Sequence, residues 1–364
     1  MASFTKRGKT WQYVVSAKPK PLRKGGFKTK KEAQVAAAEV EAELRKGVVP
    51  NLKPQPFDEY FENWLKLYKG DIGLNTMERY KNTLETVKDK LGGIPIQNIN
   101  KQSYQAFLNE YGLSHAKDTT RKLNTHIRAC VKDSIDEGLI RVDFTRGAVI
   151  TGKPGKKAQD KYLEYAESKQ LLKLTTERLD RTPTYYLLLL ALTSGMRFAE
   201  MVGLTRKDFN FFNNTISITK TWGYTNKMHE GFGPTKNEQS IRVIKMDPKT
   251  MKKFSKLFDT TPDNIHRLVF YSPHSKYKVI TNNVVNKVLK GMLDELKIDT
   301  ITVHGLRHTH ASVLLYEGAT PYYVSERLGH GDIETTMNTY SHVLKELRQR
   351  DEEMTTNVFE KMYV

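Results

Sequence analysis

The stretch "VHGLRHTHASVLLYEG", residues 303–318, sets His304, Arg307 and His308 on the first turns of one helix whose remaining positions are largely apolar. His304 and Arg307 are three residues apart and therefore share a helical face. A metal site, a merely basic surface and a phosphate-handling site all begin from such a grouping. The metal reading is weak. A zinc helix with two histidines four apart carries Glu directly after the first, whereas Gly305 and Leu306 stand here, and no cysteine or carboxylate cluster is near. Phosphate fits better: arginine presents a rigid fork of donors, and histidine donates or accepts a proton near neutral pH.

Working outward, three further stretches supply matching chemistry. In "TSGMRFAEMVGL", residues 193–204, Arg197 follows a Gly195 turn at the end of the apolar run "YYLLLLALTSGM", and Glu200 is spaced to orient it. In "GPTKNEQSIRVI", residues 233–244, Lys236 falls in a turn between strands, followed by Ser240 and Arg242. In "LGHGDIETTMNTYSHV", residues 328–343, His330 follows a glycine turn and Tyr340 comes ten residues later. A G-x-x-x-x-G-K-[ST] phosphate loop and a G-x-S-x-G elbow are both absent, which argues against nucleotide hydrolysis and serine-hydrolase chemistry.

Charge points to the partner. The 364 residues carry 59 Lys and Arg against 41 Asp and Glu, a net charge of +18, which favours nucleic acid. Half of that excess lies in residues 1–54, which hold thirteen basic and four acidic side chains. No apolar run is long enough to span a membrane and no secretory signal precedes the chain, so a cytoplasmic protein is expected. The single cysteine, Cys130, occupies an apolar position of a helical pattern and reads as packing, which excludes an intrachain disulfide framework.

The chain divides into parts. "SFTKRG", "TWQYVVSA" and "LRKGGFKT" read as three short strands, and the Thr29–Glu32 spacing starts a helix that Gly47 ends. The segment "GVVPNLKPQP" reads as a linker. Residues 55–145 form an all-helical domain, with Phe57, Tyr60, Phe61, Trp64, Leu65 and Tyr68 on one stripe. Asn75 and Glu78 are expected to open its second helix. Residues 146–160 read as a second linker, and residues 161–364 as a mixed α+β domain with a charged amphipathic helix at its end.

Four blocks in this order resemble those of the tyrosine recombinase family of phage and conjugative-transposon integrases. "T-G-x-R-x-x-E-x-x-x-L" is similar to residues 194–204, "T-K-x-x-x-S-x-R" to 235–242, "H-x-L-R-H-x-x-A" to 304–311, and "L-G-H…T-T…Y" to 328–340. The interval from His330 to Tyr340 is one residue longer than the commonest family spacing. The resemblance implies a multidomain fold: a small three-stranded β-sheet plus helix that binds arm-type DNA sites (residues 1–54 with its linker), an all-α SAM-like core-binding domain, and a mixed α+β tyrosine-recombinase catalytic domain. It implies that Tyr340 attacks a phosphodiester to leave a 3′-phosphotyrosine, with Arg197 and Arg307 on the non-bridging oxygens. His304 is then the base or a phosphate donor, Lys236 the acid for the departing 5′-oxygen, and His330 a further donor. Glu200, Ser240 and Arg242 support the site, Arg242 also as a backbone contact. His308 and His310 are expected to be structural, and Tyr316, Tyr322 and Tyr323 to be packing residues.

No cofactor and no metal are required by this chemistry. The implied partners are duplex DNA at core and arm-type attachment sites, three further copies of the chain on two duplexes, and an accessory directionality factor. Lys9, Gln12 and Lys28 in the sheet, with Arg121 and Lys122 in the helical domain, are the DNA-binding candidates. A type IB-like topoisomerase shares the chemistry but has no use for an arm-binding domain, and a non-catalytic architectural DNA-binding protein has no use for the complete catalytic set.

Overall fold

The computed structural model describes residues 2–17, 21–45, 53–155, 162–340 and 348–363, in two compact units, Met1–Gly155 and Lys156–Val364. The first unit opens with strands β1 (Ala2–Arg7), β2 (Thr10–Val15) and β3 (Leu22–Phe27), an antiparallel meander in the order β1-β2-β3, followed by helix α1 (Lys30–Arg45). Alternation along β2 buries Tyr13 and Val15 against Ala37 and Val40 of α1. Gln12, paired with Thr5, and Val14, paired with Ser3, take the other face. Glu32 holds the start of α1: its backbone N–H donates to Thr29 Oγ1 at 3.1 Å, and its carboxylate accepts from the Lys28 N–H at 3.0 Å. Gly47 and most of the proline-bearing linker lie outside the described residues.

Four helices follow: α2 (Phe57–Tyr68), α3 (Leu74–Leu91), α4 (Lys101–Ser114) and α5 (Lys117–Asp136). The aromatic stripe of α2 forms their core. Phe57, Tyr60, Phe61, Trp64 and Leu65 are buried together with Tyr104, Leu108, Ile127 and Cys130. Tyr68 is the exception, exposed at the edge with its hydroxyl on Glu137 at 3.1 Å. Helix α3 begins one residue before Asn75, and its N-cap is Gly73, so the Asn75–Glu78 spacing caps nothing. Residues 146–153, read from the sequence as the start of a linker, make contacts with the helical core. Ala148 and Ile150 pack on this core, Gln105 exchanges hydrogen bonds with the Val149 backbone, and Lys153 bridges to Ala116. Too few apolar residues stand between 146 and 153 to show a period, which is why sequence alone reads that segment as loop.

In the second unit, α6 (Tyr165–Glu177) leads to α7 (Pro183–Ser194), buried nearly all round, as a helix apolar on every face must be. Its four consecutive leucines each contribute about 1.5–3 kcal/mol by leaving water. Pro183 starts it and Gly195 stops it in the left-handed conformation (φ +66°), with its N–H on Ala191 O. Short helix α8 (Phe198–Val202) follows, then strands β4 (Phe209–Asn210), β5 (Thr215–Ile218), β6 (Thr221–Trp222), β7 (Phe232–Gly233) and β8 (Arg242–Lys245). β4, β5 and β8 form one antiparallel sheet, while β6 and β7 pair as a separate ribbon. Helices α9 (Pro248–Thr260), α10 (Asn282–Leu296), α11 (Val303–Tyr316), α12 (Pro321–Leu328) and α13 (Ile333–Thr339) complete the core. A last helix, Arg348–Met362, exposes Met354, Val358 and Met362 along one side. No helix among the described residues is long and apolar enough to cross a membrane.

Candidate active site

The glycine turn after α7 aims the first cation. A Cβ on Gly195 would lie 2.6 Å from His310 Cδ2 and 2.8 Å from Leu328 Cδ2, so only glycine fits. Two residues on, Arg197 caps α8. Its Nη1 donates to Glu200 Oε1 at 2.8 Å and to Ser240 Oγ at 3.0 Å, and its Nη2 donates to the Gly329 carbonyl at 2.7 Å. Glu200 is 1% exposed, and its other oxygen accepts from the Arg197 N–H and from Arg242 Nη2, both at 3.0 Å. Burial pushes the Glu200 pKa up, but Arg242 and Arg197 outweigh it and leave the carboxyl below its ordinary range.

Arg307 enters from α11. It is 4% exposed and donates from Nη1 to Gly195 O at 2.8 Å. Burial first, and the Arg197 charge second, push its pKa down to about 9, which leaves it protonated at neutral pH. Three guanidiniums, those of Arg197, Arg242 and Arg307, thus share one buried carboxylate among the described residues. Excess positive charge held rigid in low-dielectric surroundings is costly unless an anion joins it, and a phosphate with growing negative charge is stabilised most there.

His304, one turn before His308, keeps an exposed edge. The atoms packed about it, and then the Arg307, Arg197 and Lys236 charges, hold its pKa below the usual imidazole value. Lys236 is exposed in the connection from β7 to β8, and it is close enough for its charge to act on that ring. Ser240 ties this connection to Arg197, since its hydroxyl also donates to Asn237 Oδ1. His330 follows Gly329, the left-handed cap of α12 (φ +68°), and its Nδ1 pairs with the buried Thr336 hydroxyl at 2.6 Å. Burial, then Arg307 and Arg197, push His330 down to about 4, so it is neutral at pH 7. If the Thr336 hydroxyl donates to Nδ1, the ring proton sits on Nε2, where it can meet a phosphate oxygen.

Tyr340, the residue after α13, is 1% exposed. It packs among Ala311, Leu315, Val324 and Leu328. Burial pushes its phenol up to about 12, against the opposing pull of the Arg307 charge. The phenol and the guanidinium are thus within electrostatic reach in one chain.

The structure departs from the sequence reading at several side chains. His308, expected to be structural, has its Nδ1 3.0 Å from Tyr340 Oη. Tyr322 and Tyr323 do not pack as expected: they are 69% and 44% exposed, since α12 turns Val324 and Leu328 inward instead, while Tyr316, 52% exposed, stacks on Tyr165 with ring centroids 6.2 Å apart. All three nitrogens of Arg242 donate inside the protein, to Arg327 O, Ser240 O and Glu200. Arg327 escaped notice altogether. It is 8% exposed and donates to His310 Nε2 at 2.9 Å, Lys245 O at 2.7 Å and Thr193 O at 3.2 Å. His310 is structural, its Nδ1 bonded to Leu192 O.

The remaining candidates lie in the first unit. Lys9 is exposed in the β1–β2 turn, Gln12 half-buried on the face of the sheet away from α1, and Lys28 exposed just past β3. The same open face carries Arg7 and Arg23, opposite Thr10 and Val14, which strand register alone would have singled out. On α5, Arg121 pairs with Asp118, and Lys122 lies close enough to help hold the His126 pKa down.

Comparison with known proteins adds three matches along the chain: residues 161–346 to the phage integrase family, 56–111 to the phage integrase N-terminal SAM-like domain, and 3–44 to an arm DNA-binding domain. The integrase of Staphylococcus phage L54a is 25% identical over 336 residues, 83% of this chain and 94% of that protein. A tyrosine recombinase XerC-like protein of Caldanaerobacter subterraneus subsp. tengcongensis is 23% identical over 98% of each. Among solved structures, the Tn1549 transposon integrase in complex with a circular intermediate DNA superposes with a TM-score of 0.68 at 18% identity, covering 82% of this chain and 98% of that one. A lambda integrase tetramer bound to a Holliday junction gives 0.59 at 13%, covering 90% and 91%. At such identities the superpositions show a shared fold.

Proposed function

The chain belongs to the phage integrase family, and from that premise we propose that Tyr340 is the nucleophile with which it integrates and excises a mobile DNA element. It is a tyrosine-type site-specific DNA recombinase. Tyr340 Oη gives its proton to a histidine of α11 and bonds to the scissile phosphorus, the bond to the 5′-oxygen breaks, and Lys236 supplies the proton that oxygen takes. The resulting 3′-phosphotyrosine keeps the phosphodiester energy, so the strand can be rejoined to a new 5′-hydroxyl. Arg197 and Arg307 hold the non-bridging oxygens, His330 donates to one of them from Nε2, and His304 stands on the same phosphate-facing side. Glu200, Ser240 and Arg242 keep the guanidiniums in place. The observation that carries this reading is the surplus of buried positive charge within reach of one buried phenol.

The arm-type sites are bound by residues 1–54 through the open face of the sheet, with Lys9, Gln12 and Lys28 as contacts, and the core sites by the helical domain, with Arg121 and Lys122 on phosphates. Two duplexes and four chains make the working assembly in the bacterial cytoplasm, the apolar stripe of the last helix docks on a neighbouring copy, and a directionality factor sets excision. Binding weakens steeply with salt because many phosphates are neutralised.

The decisive experiment is Tyr340→Phe on a nicked suicide substrate. The variant shifts core-site DNA as the wild type does and traps no covalent adduct; an adduct from the variant would refute the nucleophile. Deleting residues 1–47 leaves core cleavage within a few-fold and removes arm-site binding. Loss of cleavage would refute the division into domains.

A further inference from the structure

Attack by Tyr340 requires its proton to leave, and among the described residues one basic atom stands at hydrogen-bond distance. His308 Nδ1 lies 3.0 Å from Tyr340 Oη, with the two rings 5.8 Å apart and inclined at 58°. His304, one turn earlier, meets His308 edge-on at 5.0 Å and has no hydrogen bond to Tyr340 among the described residues. It faces Arg307, Arg197 and Lys236 instead. The two histidines thus divide: one looks at the nucleophile, the other at the cations.

Resting on the recombinase reading above, we propose that His308, not His304, accepts the Tyr340 proton. His308 touches the reacting oxygen, so it is a catalytic residue in its own right. In the forward step the Oη–H bond breaks, the proton passes to His308 Nδ1, Oη bonds to phosphorus, and the 5′-oxygen leaves with a proton from Lys236. The imidazolium keeps the Tyr340 proton until resealing. The 5′-hydroxyl then returns its own proton to Lys236, and His308 reprotonates the departing phenol. Such an acceptor is needed because the pocket is apolar: burial among Ala311, Leu315, Val324 and Leu328 keeps the phenol neutral at physiological pH. Among the described residues, the titratable or charged groups facing the pair are His304 and Arg307 on α11, His330 after α12, and Tyr162, which packs on the same cluster.

The test measures the rate of covalent adduct formation by the full chain on a nicked core-site duplex from pH 6 to 9.5. Wild type comes first, since failure there would remove the recombinase reading and leave this inference unaddressed. His308→Asn can accept the phenol's hydrogen bond without accepting its proton, and His308→Ala removes both. Each variant binds DNA as wild type does and cleaves about 100-fold more slowly at pH 7. The deficit closes with rising pH, at up to about tenfold per unit, as hydroxide takes over. A substrate with bridging sulfur at the 5′ position, whose leaving group needs no acid, rescues Lys236→Ala and rescues neither His308 variant. The proposal is overturned if His308→Asn cleaves at the wild-type rate, if the deficit is equal at every pH, if sulfur rescues it, or if His304→Ala alone shows the pH-dependent, unrescued loss.

Discussion

Arg307 on α11 and Arg327 at the end of α12 are buried to similar depth, 4% and 8% exposed, yet their surroundings are opposite. Arg327 donates to two carbonyls, an imidazole and the Met246 sulfur, and it fastens α12 to β8 and to the end of α7. Among the described residues Arg307 has one carbonyl, that of Gly195, and it shares the single Glu200 carboxylate with the Arg197 and Arg242 charges. Burial alone does not separate scaffold from site. What separates them is whether the protein itself satisfies the donors, because a guanidinium left with surplus donors and surplus charge is stabilised only when an anion arrives.

The contrast can be broken in three places. The largest effect is expected from Arg307→Ala, which should slow adduct formation by about 10³-fold and leave the melting temperature unchanged or raised, because a like charge has gone. A drop in stability with intact cleavage would put Arg307 on the scaffold side. Next, Arg327→Met strips donors from Lys245 O, Thr193 O and His310 Nε2 and should cost about 3 kcal/mol in urea unfolding, while the folded fraction cleaves at near wild-type rate. Lost cleavage at unchanged stability would reverse the assignment. The smallest effect is in acid. His310 is held at about 3 by burial and Arg327, and His330 at about 4 by burial and the site arginines. Both values lie below that of an unfolded histidine, about 6.5, so the unfolded state binds the extra protons. Stability is therefore full above that pH and is lost as pH falls towards the folded values, with a limiting slope of about 1.4 kcal/mol per unit for each ring. His330→Gln should remove its ring's share of the slope between pH 5 and 6; an unchanged slope would show that this ring is not held neutral.

Much of the fold was legible because it rests on local patterns. Alternation along β2, the aromatic stripe of α2 and the leucine run of α7 each specify an element and its buried side. Arg197, Arg307, His304 and Tyr340 were visible because each sits in a short block with a fixed turn or helix beside it. What escaped depends on distant partners. His308 and His304 share a helix, and nothing local says which of them meets a tyrosine 32 residues downstream from His308. Arg327, near the C-terminus of a short helix, reads as a solvated charge until β8 and the end of α7 are brought to it. Tyr322 and Tyr323 read as core because they are aromatic, yet the inward face of α12 is too short to hold them as well as Val324 and Leu328.

The peptide at Gly195 carries a consequence for how this protein can change. Its oxygen receives Arg307, its Cα has no space for a methyl beside His310 and Leu328, and two residues later Arg197 begins its own helix. A displacement of one ångström there would move both guanidiniums together. Variation in which DNA sequence is chosen therefore has to accumulate on surfaces remote from this turn, and the same cutting machinery can be carried unaltered from one target to another.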